Sequence, residues 1–558
     1  MPTVEFDLVD LHELLGRDIP LNRLTYALPL IKCEVKSVEG GKVTLEVNAD
    51  RPDMFSVEGI ARALKGFLGL EKGYPSYRWR KGRVVVKVDR SVDGIRPYIA
   101  CAVIRNLKLT DSSLKDILLL QEKLHETICR KRRKGSIGIY DLDKVTPPMN
   151  YGALPPCKIR FTPLEETRSM TAQEILRETQ KGVEYGILLE RLPRYPLLRD
   201  AEGTVLSMPP IINSEDTKLT TQSRNLFVDV TGLSDEIVND VVNIVATSLG
   251  ERGAVIESVK VEYPEHMVYT ASLKPRKMEL KLDYVERVSG LTLNIKTLEA
   301  IANKMRYGVG VKSRESLQLI IPPYRCDIIH PVDLVEDIII GYGYDRVKPE
   351  MPATLTFGRT LKESKLTRSV RDVMVGYGFQ EITSYVLTSR ESQVAMMGLD
   401  CAELVAVANP TTREHSVMRR WLLPCLLEFL SCNTHVDYPQ KVFECGNVVI
   451  RDPTEETRAR NDLRLAGIVC DYKVSYEMIQ STVYGVLRYL NVEGWSIDGK
   501  DHKSFIKGRT AAITVGGEEV AILGEVHPKV LTNFKIPNPV AAFEINLSFL
   551  LQKKHGYH

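Results

Sequence analysis

The sequence predicts an α+β protein built from several domains. Its 558 residues are enough for roughly three to five domains of ordinary size. Strand patterns and amphipathic helix patterns follow one another along most of the chain. In the last third of the chain, long helix patterns accompany strands that suit an antiparallel sheet. Mixed elements of this kind favour separate α+β domains.

Composition and charge exclude several classes of protein. No apolar run reaches the ~18 residues that a membrane span needs, and the first residues lack the basic and apolar regions of a signal peptide. The 10 cysteines are dispersed without a C-x-x-C pair, which argues against a cysteine zinc site and favours reduced thiols. A net charge of +3 leaves nucleic-acid contacts to local patches. We therefore expect a cytoplasmic protein without membrane attachment.

Residues 1–85 predict a small α/β unit. A strand runs into a helix in VEFDLVDLHELLG, and two alternating strands flank a predicted hairpin turn at Gly40 and Gly41. Ser56 is a suitable N-cap for the next helix. Its predicted apolar stripe consists of Ile60, Ala61, Leu64, Phe67 and Leu68. The polar tract from Asp50 to Asp53 is interpreted as a loop before this helix.

Residues 86–268 predict a second α+β domain that contains a basic run. The pattern indicates a helix over residues 113–135, which ends in five adjacent cations, Arg130–Lys134. These cations could attract phosphate, or they could be a solvated helix end that complements the helix dipole. The glycines of Gly135–Gly138 suit a close approach of backbone to a ligand.

A candidate site within this domain lies in the strand pattern NLFVDVTG. Asp229 and Thr231 are two residues apart, so on a strand both side chains point to the same face. The alternative is that they merely end a strand before a turn at Gly232. The residues alone favour this second interpretation.

Residues 269–352 predict a small winged-helix-like domain. Asn294 is a candidate N-cap, Gly308 a candidate helix end, and the apolar stripe is Leu298, Ile301, Ala302 and Met305. Pro331 then suits the first position of a further helix, because its missing N–H would be unpaired there in any case.

Four acidic residues cluster around this last helix. Asp333, Glu336 and Asp337 fall at i, i+3 and i+4, and Asp327 precedes them on an extended segment. Such carboxylates could hold a hard cation such as Mg²⁺. Residue types alone favour the other interpretation, in which they complement the helix dipole without any metal.

Several longer motifs carry a resemblance to a known family. The segment has Arg325–Ile328, then VDLVED, then GYGY, and an E-x-N-x-D-R-P-D run spans Glu46–Asp53. Further matching runs are RKRRKGSIGIYDLDK, LLRDAEGTVLSMPPIINSE, NLFVDVTG and GEVHPKV. In this order, the motifs resemble the phenylalanyl-tRNA synthetase beta subunit of the archaeal and eukaryotic type, and the chain length favours the archaeal form.

The resemblance implies four domains and two sites. The domains are an N-terminal α/β domain (1–85), a tRNA-editing domain (86–268), a winged-helix-like Mg²⁺-binding domain (269–352) and a class II synthetase-like domain (353–558). The implied metal ligands are Asp327, Asp333, Glu336 and Asp337. The implied editing pocket, which would hydrolyse tyrosine from phenylalanine tRNA, consists of Leu198, Ser207, Asp229 and Thr231. Asp229 would make the key polar contact, with general-base action through water as an alternative.

The class II-like domain is expected to be catalytically inactive. A class II site holds ATP phosphates with an arginine in an F-R-x-E strand and a second arginine in a late G-x-G-x-x-R motif. This chain reads VFECG at 442–446 and AFEIN at 542–546 instead. His527 precedes a proline and is interpreted as structural.

The implied function is that of one subunit in a larger enzyme. The resemblance predicts an α2β2 assembly that uses ATP and Mg²⁺ to charge phenylalanine tRNA, with aminoacylation on the alpha subunit and no cofactor-binding site here. This chain would supply editing, scaffold and tRNA contacts. The alternative is a free-standing editing hydrolase or nucleic-acid-binding protein without a ligase partner.

Overall fold

A computed structural model describes residues 2–553 of the chain. The chain divides into two compact units between Met351 and Pro352. The mixture of strands and helices agrees with the predicted α+β class. No helix in residues 2–553 combines the length and the apolar character that crossing a membrane requires.

The N-terminal region forms a three-stranded antiparallel sheet with three helices. Its elements are β1 (Thr3–Asp7), α1 (Leu8–Leu15), α2 (Leu21–Leu30), β2 (Cys33–Glu39), β3 (Lys42–Val47) and α3 (Val57–Phe67), with strand order β1-β3-β2. The hairpin prediction is confirmed, since Gly40 and Gly41 join β2 to β3 with positive φ angles of 57° and 80°. Ser56 caps α3 as predicted, accepting a hydrogen bond from the Gly59 N–H at 3.3 Å.

The next region is organised around a ten-stranded sheet. Its strands are β4 (Trp79–Val88), β5 (Tyr98–Arg105), β6 (Gly135–Asp141), β7 (Met149–Leu154), β10 (Tyr195–Arg199), β11 (Val205–Met208), β12 (Ile212–Asn213), β13 (Leu226–Gly232), β14 (Val255–Glu262) and β15 (Met267–Thr270). The order is β12-β11-β10-β7-β4-β14-β5-β13-β6, and β15 pairs with β14. A separate pair joins β8 (Arg160–Phe161) to β9 (Met170–Thr171). The helices are α4 (Asp111–Glu126), α5 (Ala172–Glu178), α6 (Gln180–Tyr185) and α7 (Asp235–Glu251).

The sheet separates two hydrophobic clusters. Alternate residues of β13, such as Val228 and Val230, belong to the cluster that includes the apolar face of α7. Phe227, in contrast, belongs to the cluster on the opposite side of the sheet. The candidate residues of β13 therefore lie on the side of the sheet away from α7.

The third region joins three helices to a three-stranded antiparallel sheet. Its elements are β16 (Arg276–Lys281), α8 (Leu282–Ser289), α9 (Ile295–Lys304), β17 (Gly308–Lys312), β18 (Ser316–Ile321) and α10 (Pro331–Tyr342). Pro331 begins α10 as predicted, and Asn294 caps α9 by accepting from the Thr297 N–H at 2.9 Å. The predicted helix end at Gly308 is wrong, because α9 ends at Lys304 and Gly308 begins β17.

The second unit places helices on a seven-stranded sheet, as predicted. The strands are β19 (Gln380–Glu381), β20 (Leu387–Thr388), β21 (Val417–Met418), β22 (Gln440–Arg451), β23 (Ala459–Cys470), β24 (Trp495–Gly499), β25 (Phe505–Val515), β26 (Glu518–Val526) and β27 (Val540–Asn546). The main sheet has the order β19-β22-β23-β27-β26-β25-β24, and only the β19–β22 pair is parallel. The helices are α11 (Lys362–Gly376), α12 (Leu423–Cys432), α13 (Tyr476–Tyr489), α14 (Pro528–Asn533) and α15 (Leu547–Lys553).

Candidate functional site

Asp229 occupies the middle strand of three at one edge of the large sheet. β13 pairs with β5 on one side and β6 on the other, and Asp229 lies opposite Cys101 and Gly138. Only 1% of its surface is exposed. A carboxylate is placed in so apolar a position only at a cost, so its hydrogen-bond partners decide what it can do.

Tyr140 links Asp229 to Ser207. The Tyr140 hydroxyl donates to Oδ1 of Asp229 at 2.5 Å and lies 2.8 Å from Oγ of Ser207. Tyr140 is on the edge strand β6, whereas Ser207 is on β11 near the other edge, so the sheet curves back toward itself here. Two of the predicted pocket residues, Ser207 and Asp229, are therefore joined through a third that the sequence did not identify.

Burial raises the pKa of Asp229. Loss of contact with water raises it to about 7, while the hydrogen bond from Tyr140 and the charge of Arg96 act in the opposite direction. Burial also raises the pKa of Tyr140 well above its usual range, with a further contribution from Asp229. The carboxyl group consequently titrates near neutral pH, and the phenol remains protonated as a donor.

Thr231 forms its hydrogen bonds with a different residue from the one that Asp229 contacts. Oγ1 and the carbonyl oxygen of Thr231 accept hydrogen bonds from the buried Arg96 guanidinium at 2.9 and 2.8 Å. Its hydroxyl also lies 3.0 Å from Oγ of Ser136. Thr231 thus holds the buried cation that helps to compensate Asp229.

Leu198 is packed into the hydrophobic cluster that contains Tyr140 and Phe227. It is fully buried on β10, where it pairs in register with Ser207 on β11. Its side chain contributes apolar packing around the site. Of the four predicted pocket residues, Ser207 and Asp229 line the adjacent cavity described next.

A cavity of about 340 Å³ opens beside Ser207, Tyr140 and Asp229. Its walls are largely apolar, and its remaining lining includes Leu114, Leu118, Ile137, Ile139, Pro209, Pro210, Ile211 and Leu219. Charged side chains of Glu122, Arg132 and Lys181 also line it. An apolar cavity with a few polar groups at defined positions is typical of a binding site for a small group with one polar end.

The basic run lies in a turn, not at a helix end. The predicted helix over 113–135 is too long, because α4 ends at Glu126. Arg130, Lys131 and Arg132 instead adopt left-handed backbone with φ of 52°, 52° and 63°. Arg132 is buried and donates to the carbonyl of Ile211 at 2.7 Å and to Glu122 at 2.9 Å. One of the five predicted surface cations is therefore part of the cavity wall.

The four predicted metal ligands have separate partners. The buried Arg325 guanidinium donates to Asp327 at 2.8 and 2.7 Å and to Asp337 at 2.6 Å. Tyr307 also donates to Oδ2 of Asp337, whose Oδ1 is buried without a hydrogen-bond partner. Burial alone would raise the pKa of Asp337, but Arg325 and Arg51 outweigh that effect and lower it.

The other two carboxylates point to different partners. Oδ2 of Asp333 accepts from the backbone N–H groups of Ile329 and His330 at 2.8 and 2.7 Å, as a capping residue of α10 does. Glu336 forms an ion pair with Lys32 at 2.8 Å. Within residues 2–553, no three His, Cys, Asp or Glu side chains are grouped so that they could hold a metal ion.

The residues as arranged do not fit a cation bound by all four carboxylates. Arg325 lies between Asp327 and Asp337 and already supplies the positive charge that a metal would supply. The dipole interpretation of the cluster describes the geometry of Asp333 well. Magnesium binding at these residues stays a prediction from the sequence.

The tract before α3 is more than a polar loop. Arg51 and Asp53 are buried and form an ion pair at 2.8 Å, and Arg62 donates to the Asp53 carbonyl at 3.2 Å. The Arg62 guanidinium also lies 3.6 Å above the ring of Tyr324. The interpretation of this tract as an ordinary polar loop is therefore wrong, because Arg51 and Asp53 are buried and Asp53 bonds to Arg62, which packs on Tyr324.

In the second unit, the glutamates of the VFECG and AFEIN strands make hydrogen bonds within the unit. Glu444 on β22 accepts from the buried Arg419 at 2.6 Å, and Glu544 on β27 accepts from the Leu422 N–H at 2.8 Å. The apolar pattern of residues 415–433 predicts a helix over that whole range, but the helix begins only at Leu423. His527 accepts from the Lys529 N–H at 3.1 Å and caps α14, which confirms its structural interpretation.

Comparison with known proteins defines the class. Residues 278–344 match the profile described as the tRNA synthetase B5 domain. Residues 347–547 match the phenylalanyl tRNA synthetase beta chain CLM domain. The fold and these matches are those of a subunit of an aminoacyl-tRNA synthetase.

Relatives that align with nearly the whole chain identify the particular family. The chain is 40% identical to the phenylalanine–tRNA ligase beta subunit of Pyrococcus abyssi over 99% of this chain and 100% of that protein. It is 41% identical to the beta subunit of Archaeoglobus fulgidus over 98% of each. A crystal structure of an N-terminal fragment of the Pyrococcus horikoshii beta subunit matches with a TM-score of 0.60 and 42% identity, over 62% of this chain and 100% of the fragment. The chain belongs to the family of phenylalanine–tRNA ligase beta subunits.

Proposed function

We propose that the chain works with an alpha subunit in an α2β2 phenylalanine–tRNA ligase of the cytoplasm. The assembly attaches phenylalanine to its tRNA with ATP and Mg²⁺, and aminoacylation takes place on the alpha subunit. The observation that carries this proposal is 40% identity over 99% of the chain to a protein named as that beta subunit. Three parts of the chain have separate proposed roles: hydrolytic editing for 86–268, a winged-helix-like module for 269–352 and an inactive class II-like scaffold for 353–558.

The editing reaction is proposed for the cavity beside Asp229. A tyrosyl group differs from a phenylalanyl group only by its phenol hydroxyl. A buried carboxylate that accepts from this hydroxyl would lose that hydrogen bond with phenylalanine, and losing a buried hydrogen-bond partner costs about 1–3 kcal/mol. Asp229 lines a largely apolar cavity that suits an aromatic ring, which supports this assignment.

Other lining groups define how the aromatic side chain would be held. Leu114, Ile139 and Leu219 supply apolar walls, and Ser207 supplies a hydroxyl beside Tyr140. Arg132 and Lys181 line the same cavity, and both form ion pairs with Glu122, at 2.9 and 3.5 Å.

No step of the proposed reaction is assigned to a metal at the Asp327–Asp337 cluster. The ligase as a whole uses Mg²⁺ with ATP. Binding at Asp327, Asp333, Glu336 and Asp337 would require Arg325 to release two carboxylates. A metal ion bound at these carboxylates would have a structural role or a role at the subunit interface.

Reconstitution with the alpha subunit tests the ligase proposal. The two purified chains are mixed, and phenylalanine charging of phenylalanine tRNA is measured together with the mass of the complex. We expect charging only when both chains are present, and a mass that corresponds to α2β2. A chain that stays alone and gives no charging would favour the free-standing hydrolase or nucleic-acid-binding protein.

The editing proposal is tested on the same complex. Asp229→Ala should slow hydrolysis of tyrosyl-tRNA by about ten- to a hundred-fold, since a hydrogen bond to a charged group is worth ~1.5–3 kcal/mol. Phenylalanine charging should be unchanged, because that reaction takes place on the other subunit. Unchanged tyrosyl-tRNA hydrolysis would remove Asp229 from the site.

A further inference from the structure

We infer that Tyr140 is a positioning residue for the editing reaction: its hydroxyl fixes the orientation of the Asp229 carboxylate and stabilises its charged form as the acceptor for the substrate phenol. The inference rests on the proposed editing function and adds a residue to it. Tyr140 acts through Asp229, so we expect it to affect the orientation of the Asp229 carboxylate and the pH range over which this carboxylate can accept from the substrate phenol.

The direction of the hydrogen bonds follows from proton count. A phenol has one proton to donate, and Tyr140 gives it to Oδ1 of Asp229 at 2.5 Å. Oγ of Ser207 lies 2.8 Å from the same phenol oxygen, and with the phenol proton on Asp229 the serine hydroxyl is free to donate to that oxygen. The chain Ser207 to Tyr140 to Asp229 thus ends on the carboxylate, and hydrogen bonds that end on a charge are the strong ones.

The phenol is held rigidly in this position. Tyr140 is 1% exposed, and its ring is stacked on Phe227 with centroids 6.1 Å apart and planes 26° apart. Across the β6–β13 pair, Gly138 lies directly opposite Asp229. A Cβ on Gly138 would come within 1.9 Å of the Tyr140 hydroxyl and 2.4 Å of Oδ1 of Asp229. The contact therefore depends on a glycine at this position.

Few groups besides Tyr140 influence the charge of Asp229. Arg96 is the buried cation that favours the ionised form. Cys101 lies opposite on β5, and Tyr151 on β7 donates to the carbonyl of Arg96 at 2.8 Å. Burial opposes ionisation, so loss of the Tyr140 donor should leave Asp229 protonated over a wider range of pH.

Tyr151 offers a matched control for a substitution at Tyr140. Both are fully buried tyrosines on the same side of the sheet, and both donate a hydrogen bond. Tyr151 donates to the Arg96 carbonyl, however, and not to Asp229. Tyr140→Phe and Tyr151→Phe each remove one buried hydroxyl, so a purely structural role for Tyr140 would predict similar effects of the two.

The first measurement is the titration of Asp229 by infrared spectroscopy of the full chain with ¹³C-labelled aspartate. The band is assigned by its loss in Asp229→Asn. We expect Tyr140→Phe to move the midpoint upward by about one to two pH units, and Tyr151→Phe to leave it in place. An unchanged midpoint in a folded Tyr140→Phe chain would overturn the inference. If that variant does not fold, Gly138→Ala, which displaces the phenol, should give the same upward shift, and no shift there would overturn it.

The second measurement is the pH profile of tyrosyl-tRNA hydrolysis by the complex with the alpha subunit. Tyr140→Phe should lose about ten-fold or more at pH 7 and regain activity at higher pH, with Tyr151→Phe following the unaltered protein. A Tyr140→Phe profile that matches the unaltered complex would overturn the role of Tyr140 alone. Absence of tyrosyl-tRNA hydrolysis in the unaltered complex would overturn the editing function itself, and the role of Tyr140 with it.

Discussion

Asp229 is buried where its charged form is poorly solvated, and this has a consequence for stability. Its pKa is raised to about 7 in the folded protein by burial, above the ordinary value of an unfolded aspartate. Between the ordinary aspartate pKa and about 7, the unfolded chain ionises at Asp229 whereas the folded chain stays protonated there. The contribution of this group to the free energy of unfolding is therefore complete at low pH and is lost as the pH rises through about 7.

Asp229→Asn should remove this pH dependence. Relative to the unaltered chain, the variant should gain up to a few kcal/mol between pH 4 and pH 8, since one pKa unit corresponds to about 1.4 kcal/mol. Denaturant unfolding at a series of pH values measures the difference. Asp93→Asn, at an exposed position, is the control for the loss of one carboxylate. A constant difference between Asp229→Asn and the unaltered chain would contradict a raised pKa.

Arg325 is the residue on which the acidic cluster depends. Its guanidinium, 3% exposed as a side chain, pairs with Asp327 and Asp337. Arg325→Met should cost about 3–5 kcal/mol in the free energy of unfolding, because it leaves buried carboxylates without a counter-charge. Arg371→Met, which breaks an exposed pair with Glu381, should cost less than about 1 kcal/mol. Similar losses in the two variants would contradict the account of Arg325.

Magnesium should add little stability to the beta chain alone. The four carboxylates have protein partners already, so Mg²⁺ in place of a chelator should leave the melting temperature nearly unchanged. The matched control is the double variant Asp333→Asn, Glu336→Gln, which should respond equally. Stabilisation by Mg²⁺ of the unaltered chain but not of the double variant would restore the four-ligand site predicted from the sequence.

Residue types and motifs indicated some residues of the site but not the hydrogen bonds that connect them. Asp229 and Ser207 could be named from motif resemblance, and the two-residue spacing placed Asp229 and Thr231 on one face. Tyr140 was missed, although Ser136, Gly138 and Tyr140 alternate with isoleucines in the same run. Its contact with Ser207 depends on the curvature of a ten-stranded sheet, which local patterns do not contain.

Among the elements, the turn after α4 shapes the wall of the cavity. Three consecutive left-handed residues are costly for side chains other than glycine. Arg132 compensates through its bonds to the Ile211 carbonyl and to Glu122. The hydrogen bonds of one buried arginine therefore stabilise a strained backbone conformation in this turn.

Two substitutions in this turn should act in opposite directions. Lys131→Gly should stabilise the chain by up to about 1 kcal/mol, because its side chain is exposed and glycine favours the left-handed conformation. Arg132→Ala should destabilise it by about 1–3 kcal/mol and slow tyrosyl-tRNA hydrolysis. Denaturant unfolding and the hydrolysis assay check both. Equal effects of the two variants would contradict a structural role for Arg132.

Element ends were predicted well where a local signal determines them. The Gly40–Gly41 turn, the Ser56 and Asn294 caps and the start of α10 at Pro331 are all local features. The ends of α4 and α9 were predicted too late, and α12 too early. In these places apolar periodicity continues past the helix, and tertiary contacts decide where it stops.

At the scale of the whole molecule, the chain has two compact units that meet in sequence at Met351 and Pro352. The solved relative that matches the first part is itself an N-terminal fragment, which supports independent folding of that part. A fragment of residues 1–351 should therefore unfold in one cooperative transition of its own, measurable by calorimetry. An aggregated or unfolded fragment would contradict this.

The central claim is that the cavity beside Asp229 selects tyrosine by its hydroxyl. The most direct measurement is the ratio of hydrolysis rates for tyrosyl- and phenylalanyl-tRNA by the reconstituted complex, compared between the unaltered chain and Asp229→Ala. We predict a strong preference for the tyrosyl ester that falls by about ten-fold or more in the variant. An equal ratio in the two proteins would contradict the claim.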